Sequence, residues 1–402
     1  MNRFLRLALG FYLLATALGL LLRVAFVQRV AGLDFSHALH AHSHTLYFGW
    51  VGLAVFVLAF ERVGARGRAV SAVLWSIAAI SLASFLSFLE GGYSRASIII
   101  SSVALGVWLA AAALWWRRAR GRQGVDVAFL RVGVVYLVLA VAAALARVGL
   151  MVAKVGGPQG GRLAVFAFLH CFAGFFLFCL MGLLVAEAPR LGARFDEARL
   201  RRQLCVMAPL AWLTFPLGVE GGASGGLGLV ARAAALVLLY PGALWAWNLW
   251  RAAEGAGRTV RGGLRWLAVW FVLKLGMEGA GALGLAAWAV RARHPTILFL
   301  HVVLLGVITG GLLLLVLPRL GRSLSPALTL HHLGLAGMST GLALTSLAGL
   351  GLPALVRPGL LLAAAGGGGI VLACLGFTLG AARPLQHACA ALMTSRARKS
   401  CT

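Results

Sequence analysis

Residues 44–64 read HTLYFGWVGLAVFVLAFERVG, and two further stretches repeat the same plan: HCFAGFFLFCLMGLLVAEAPRLG at 170–192 and HVVLLGVITGGLLLLVLPRLG at 301–321. Each opens on a histidine and continues in a long apolar run. Each then closes on Arg, an aliphatic residue and Gly: Arg62-Val63-Gly64, Arg190-Leu191-Gly192 and Arg319-Leu320-Gly321. An apolar run near twenty residues spans the hydrocarbon core of a bilayer as a helix. The histidines stand 126 and 131 residues apart, which leaves room for four such helices each time. Similarity at a nearly constant period signals a repeated architecture.

The rest of the chain fits that plan. Of 402 residues, 61% are hydrophobic and 11% charged, with a mean hydropathy of +0.94, against roughly 45–50% apolar and about 25% charged in soluble chains. Apolar runs bounded by charge, Gly or Pro fall at 5–27, 38–60, 69–89, 96–116, 127–153, 163–186, 204–217, 227–250, 266–290, 296–317, 327–350 and 360–382. No connector is long enough for a soluble domain, which excludes a nucleotide-driven motor and a secreted enzyme. The predicted class is all-α: one polytopic membrane domain over 1–402, with twelve transmembrane helices in three pseudo-symmetric four-helix arcs. The repeats are expected at about 1–126, 127–264 and 265–402. The first run carries Arg3 and Arg6 and has no small-residue cleavage site, so it reads as a retained span.

The formal charge of +26 suggests nucleic acid until the positions are considered. The N-terminus, the even-numbered loops and the C-terminal tail hold 24 Lys and Arg; the odd-numbered loops and outer helix ends hold 8. Cytoplasmic loops retain basic residues, so both termini are expected in the cytoplasm, with the chain in a bacterial inner membrane. The charges come in small clusters, such as 117–122 and 199–202, and not as the contiguous basic face that nucleic acid requires. The partner implied is the lipid bilayer. Cys171, Cys179, Cys205, Cys374, Cys389 and Cys401 form no CxxC and no paired framework, and read as small packing residues.

Histidine is uncommon in hydrocarbon, and when present it pairs or functions. By helix rise, His170 and His301 are expected roughly 8–11 Å below the outer ends of their runs, with His44 at a similar level. At the outer end of the second run stand His37, His40, His42 and His44. His37, His40 and His44 share one helix face and His42 points nearly opposite, so a His-x-His pair addresses a centre on either side of one helix. His37 reads as solvated, and His42 and His44 as ligands. Neutral imidazole suits haem iron and copper, and facing helices of a bundle supply axial ligands to haem; zinc would accept three histidines as well. Haem propionates want cations, for which Arg291, Arg293 and Arg357 are placed, although all three fit equally as interfacial anchors.

The segment His42-Ser43-His44-Thr45-Leu46-Tyr47-Phe48-Gly49-Trp50-Val51-Gly52-Leu53, with the His301, Gly306 and Thr309 segment, resembles the haem-copper oxidase subunit I superfamily in its shorter twelve-helix relatives. The resemblance implies three four-helix arcs holding haem b near the outer side, with ligands on the second, sixth, seventh and tenth helices. It implies His42 or His44 (with His40 nearby) and His301 as haem ligands, and His170 as a copper ligand, in a metal set of His170, His44 and His301. Three features depart from the pattern: the seventh run has no His-His pair, no tyrosine follows His170, and the tenth run has one histidine. They point away from oxygen reduction coupled to proton pumping. A haem-binding relative, with copper as a second candidate, is expected to handle electrons from a donor or a small gas such as nitric oxide or oxygen. His331-His332 falls toward the cytoplasmic end of its run and reads as interfacial.

A rival reading starts from Lys274 and Glu278, one helical turn apart at mid-membrane, with Arg131, Arg147 and Arg232 in other spans and Arg131 placed to snorkel. Intramembrane charges mark functional sites by default, and this pair would serve a proton-coupled secondary transporter. Transporter repeats come as two halves, often inverted; three same-direction units favour the cofactor. The glycine-rich stretches 220–226 and 366–369 lack the context of a phosphate loop, and the second reads as a site of close helix approach.

Overall fold

The computed structural model describes residues 1–219, 225–292, 294–321, 325–348 and 351–379. Within them the chain forms helices α1 (Asn2–Val27), α2 (Phe35–Arg62), α3 (Arg68–Gly91), α4 (Arg95–Arg118), α5 (Val125–Ala153), α6 (Gly157–Leu191), α7 (Glu197–Leu213), α8 (Gly225–Ala252), α9 (Arg258–Ala292), α10 (His294–Arg319), α11 (Ser325–Ala348) and α12 (Pro353–Leu379). There is no strand among the described residues. Ten of these helices are long and apolar enough to cross a membrane; α7 and α11 complete the twelve. Lipid offers no partner to a backbone amide, so a spanning segment has to satisfy its own hydrogen bonds, and the helix does so. The chain is an all-α integral membrane protein.

Caps set the ends more sharply than hydropathy does. Asp34, Ser94 and Asp196 accept from the backbone N–H three residues on, opening α2, α4 and α7. The seventh helix was expected at 204–217 and lies at Glu197–Leu213. Its first two turns are the polar run that Asp196 caps, and the chain leaves the helix for a short 3-10 turn at Phe215–Gly218. Likewise α6 starts at Gly157, six residues before its apolar run, with Pro158 in the first turn, where its missing N–H costs nothing.

The three repeated exit turns are alike in structure. Gly64, Gly192 and Gly321 take left-handed φ values of 66°, 68° and 66°, a conformation glycine adopts without a Cβ penalty. Ion pairs then tie the turns together: Arg319 reaches Glu61 at 3.0 Å and Glu187 at 2.8 Å, and Arg190 holds the other Glu187 oxygen at 3.1 Å. One end of α2, α6 and α10 is thereby drawn to a common point.

Packing follows chain order and closes on itself. α3 lies on α4, α5 on α6, α8 on α7 and α9, α11 on α12, and α12 returns to α1, which also packs on α2. α11 and α12 approach so closely that a Cβ on Gly334 would lie 2.7 Å from the Gly366 carbonyl, as the small residues in 366–369 suggested. α2 and α10 are the inner helices. Within their most apolar windows 83% and 89% of residues are buried, against 28–44% in the other spans. The second and tenth runs, which carry two of the three repeated histidines, are therefore the least exposed of these ten spans.

Candidate functional site

Both inner helices change their winding just below a histidine. Thr45–Gly52 follows His44 and Val302–Thr309 follows His301, each as eight residues of π-helix. π-turns inside α-helices are rare and concentrate at functional sites. The two are joined across the core by Trp50, whose indole N–H donates to the Thr309 hydroxyl at 3.0 Å.

Above them, His42 turns toward α1. Its Nδ1 donates to the Ala15 carbonyl at 2.7 Å, and the ring lies against Gly19, where a Cβ would come within 2.8 Å of Cε1. On α10, His301 donates Nδ1–H to the Ile297 carbonyl at 2.7 Å. A carbonyl can only accept, so each ring carries its proton on Nδ1 and keeps a lone pair on Nε2, which on His301 accepts from Arg23. Metal-ligating histidines are held in this way, with one ring nitrogen fixed by a hydrogen bond and the other left to the metal. His42 and His301 lie within electrostatic reach of each other and of the same cation, Arg23. That guanidinium donates to His301 Nε2 at 3.2 Å, is only 9% exposed, and has no carboxylate partner among the described residues.

The other expected site residues go elsewhere. His44 faces away from His42; its ring stacks on Phe88 at 4.0 Å, beside Phe48 and Tyr93, and its Nδ1 bonds the His40 carbonyl. His40 packs edge-on against Tyr93 at 4.3 Å, and His37 sits 3.8 Å from the capping carboxylate of Asp34. That carboxyl is held below its usual pKa by the backbone N–H of His37. His170 donates Nε2–H to the Ala211 carbonyl at 2.6 Å, near the C-terminal end of α7, beside Thr214. It lies thirteen residues into α6, whereas His44 is nine residues into α2 and His301 seven into α10. Nearby on α6 and α2, Phe172, Phe176 and Tyr47 pack against one another as rings. Among the described residues no three His, Cys, Asp or Glu side chains are grouped to hold a metal ion. His170, His44 and His301 therefore do not assemble as one ligand set.

Lys274 and Glu278 do pair, at 2.6 Å, with His170 in electrostatic range. Arg131 snorkels, donating to the Ala119 and Arg122 carbonyls. Arg147 and Arg232 are half-buried. Arg291 and Arg357 are exposed at helix ends, and Arg293 lies outside the described residues.

The His331-His332 dyad corrects the expectation of an interfacial pair. Both rings are buried, in the centre of the bundle. α11 begins near Ser325 and its apolar face turns inward at the dyad, so both rings meet α1, α9 and α10. The Tyr12 hydroxyl bonds His331 Nδ1 at 3.0 Å, and the opposite nitrogen is 3.3 Å from the Leu305 carbonyl, inside the π-turn of α10. Trp270 donates to His332 Nδ1 at 3.1 Å, and Trp266 stacks on the same ring at 5.4 Å. With Nδ1 accepting, each ring carries its proton on Nε2, the reverse of His42 and His301. The dyad is thus a buried donor pair and offers no lone pair to a metal. His332 Nε2 has no hydrogen-bond partner.

Arg23 and Tyr12 were not legible as site residues. Arg23 stands four residues from the end of α1, where an arginine ordinarily snorkels to water. The available signal was Gly19, one turn earlier on the same face, which leaves room for an inward cation.

No protein-family model matches the chain, and no curated protein matches it. Among solved structures it is similar to a haem-copper terminal oxidase dimer determined by cryo-electron microscopy, with a TM-score of 0.69 over 95% of this chain and 84% of that chain, at 13% identity. At that identity the likeness is one of fold. The twelve-helix arrangement that closes from α12 onto α1 around α2 and α10 is accordingly a fold shared with that haem-copper terminal oxidase.

Proposed function

We propose that this chain binds haem b between His42 and His301 and handles electrons in a bacterial inner membrane, with both termini in the cytoplasm. The observation that carries the reading is the matched state of the two imidazoles. Each is fixed through Nδ1–H to a helix carbonyl and keeps an unprotonated Nε2, and the buried arginine that now donates to His301 Nε2 lacks an anion. A buried guanidinium without a counter-charge is costly, and a haem propionate is a carboxylate of the kind it lacks. In this reading His42 and His301 would hold the haem iron and Arg23, with His294 in its field, would hold a propionate. When bound, the haem supplies a one-electron centre.

With two imidazoles to hold the iron, the site would favour electron transfer over the binding of a gas such as nitric oxide or oxygen. His170 is excluded as a copper ligand in this proposal because its Nε2 already serves the Ala211 carbonyl. The Lys274–Glu278 pair is closed on itself within one helix, which supports a structural role over that of a carrier site. The internal repeats at about 1–126, 127–264 and 265–402 belong to the same proposal, supported by the three matched exit turns.

The test is the absorption spectrum of detergent-purified protein made under haem-replete conditions. The wild type is expected to show a Soret band, lost in His42→Ala and His301→Ala and kept in His44→Ala. A colourless wild type, or loss in His44→Ala with retention in His42→Ala, overturns the assignment.

A further inference from the structure

Between the first turn of α7 and the last turns of α8, the end of the bundle that carries the arginine-rich turns opens into a cleft of about 380 Å³, lined by Arg194, Asp196, Arg199, Trp247, Asn248 and Arg251. Three guanidiniums face one carboxylate. Arg199 stands 3.8 Å from Asp196 and Arg251 3.4 Å from Glu254, all four about half exposed. Such pairs contribute little and exchange readily. Asp196 is further committed to the α7 cap. Arg194 has no ion pair among the described residues.

The rim and floor differ in kind. Asn248 is buried and bonds Gln203 at 3.2 Å, so the floor is polar but enclosed. On the rim, Trp247 is 52% exposed with Arg251 over its indole at 5.8 Å, and three residues on along α8 Trp250 is 39% exposed with Arg265 over it at 5.0 Å. Exposed indoles beside arginines mark the headgroup level of a membrane protein. Basic pockets between spanning helices at that level suit phosphate-bearing headgroups.

We infer that this cleft is a binding site for the phosphodiester headgroup of an anionic phospholipid. Arg194, Arg199 and Arg251 take the phosphate oxygens, and Trp247 borders the acyl chains. A free phosphate would use the same guanidiniums but gain nothing from the indoles. The site is independent of the haem assignment.

The test uses the full chain in phosphatidylcholine nanodiscs with or without phosphatidylglycerol, read by thermal unfolding and by native mass spectrometry of retained lipid. Phosphatidylglycerol is expected to raise Tm and to remain bound. The Arg194→Ala/Arg199→Ala/Arg251→Ala variant loses both effects, while Arg117→Ala/Arg118→Ala/Arg120→Ala, which removes equal charge at another basic turn, keeps them. Arg199→Lys, which keeps the charge and loses the planar fork, retains less lipid than the wild type, and covers the case in which the triple variant fails to fold. Equal loss in both triple variants, the full Tm shift with inorganic phosphate alone, or no shift with phosphatidylglycerol overturns the proposal.

Discussion

About 200° around the helix axis separates His42 from His44. Two residues apart on α2, they point to opposite sides, one to Gly19 and Arg23 and the other to Phe88. Glycine at 19 is what admits the His42 ring. Gly19→Val is expected to displace it and to lower haem content as far as His42→Ala does, measured as the haem-to-protein ratio after purification. Arg23 yields a prediction of opposite signs. Without haem it is a buried charge with no counter-ion, so Arg23→Met should stabilise the haem-free protein by about 1–4 kcal/mol; the same change should weaken haem binding by removing the propionate partner. Thermal unfolding of haem-depleted protein and haem titration measure the two arms. A loss of stability in the first arm would show that Arg23 is already satisfied. The histidines themselves were legible, because imidazoles in apolar runs stand out. Their directions were legible only as a contrast of faces, and nothing in the residue pattern told which face meets α1. The dyad at His331-His332 was misplaced for a similar reason: distance along the run was taken as depth, whereas burial is decided by which helices pack around it.

At the scale of elements, the π-turns set the register of both inner helices. A π-turn amounts to one residue inserted into an α-helix. Deleting one residue from Val302–Thr309 should restore α-helical winding and turn the two halves of α10 against each other by about 100°. The expected result is unchanged helical content by circular dichroism with loss of haem; unchanged haem content would mean that the turn does not aim His301. The link between the two turns is open to a gentler test. Thr309→Val leaves the buried Trp50 indole N–H unpaired, which costs about 1–3 kcal/mol and lowers Tm with the fold retained. Neither turn could be read from TLYFGWVG or VVLLGVIT, since residues apolar on every face carry no period. Element boundaries failed for a related reason at α6 and α7: hydropathy marks the membrane, whereas Asp196 and Pro158 mark the helix.

On the scale of the whole molecule, the repeat noticed in three sequence stretches becomes three matched turns clamped by Arg319 between Glu61 and Glu187. Removing it leaves Glu61 without its cation and the buried Glu187 with Arg190 alone. Arg319→Ala is therefore expected to cost about 2–4 kcal/mol, whereas Arg199→Ala, in an exposed pair, changes stability by less than about 1 kcal/mol; thermal unfolding of the two variants compares them. Similar losses would show that the clamp carries no special weight. The fold class and the span number were open to reading because lipid imposes length and polarity on every segment. Which helices would stand at the centre was not, although two of the three runs that open on a repeated histidine proved to be the inner ones. The claim on which the account turns is that this ring holds one haem between imidazoles of α2 and α10, and low-temperature electron paramagnetic resonance of the oxidised, purified protein tests it most directly. A low-spin ferric signal of bis-imidazole type, replaced by a high-spin signal or lost in His42→Ala and in His301→Ala, is the predicted result. A high-spin ferric signal in the wild type, or a low-spin signal that survives either substitution, would contradict it.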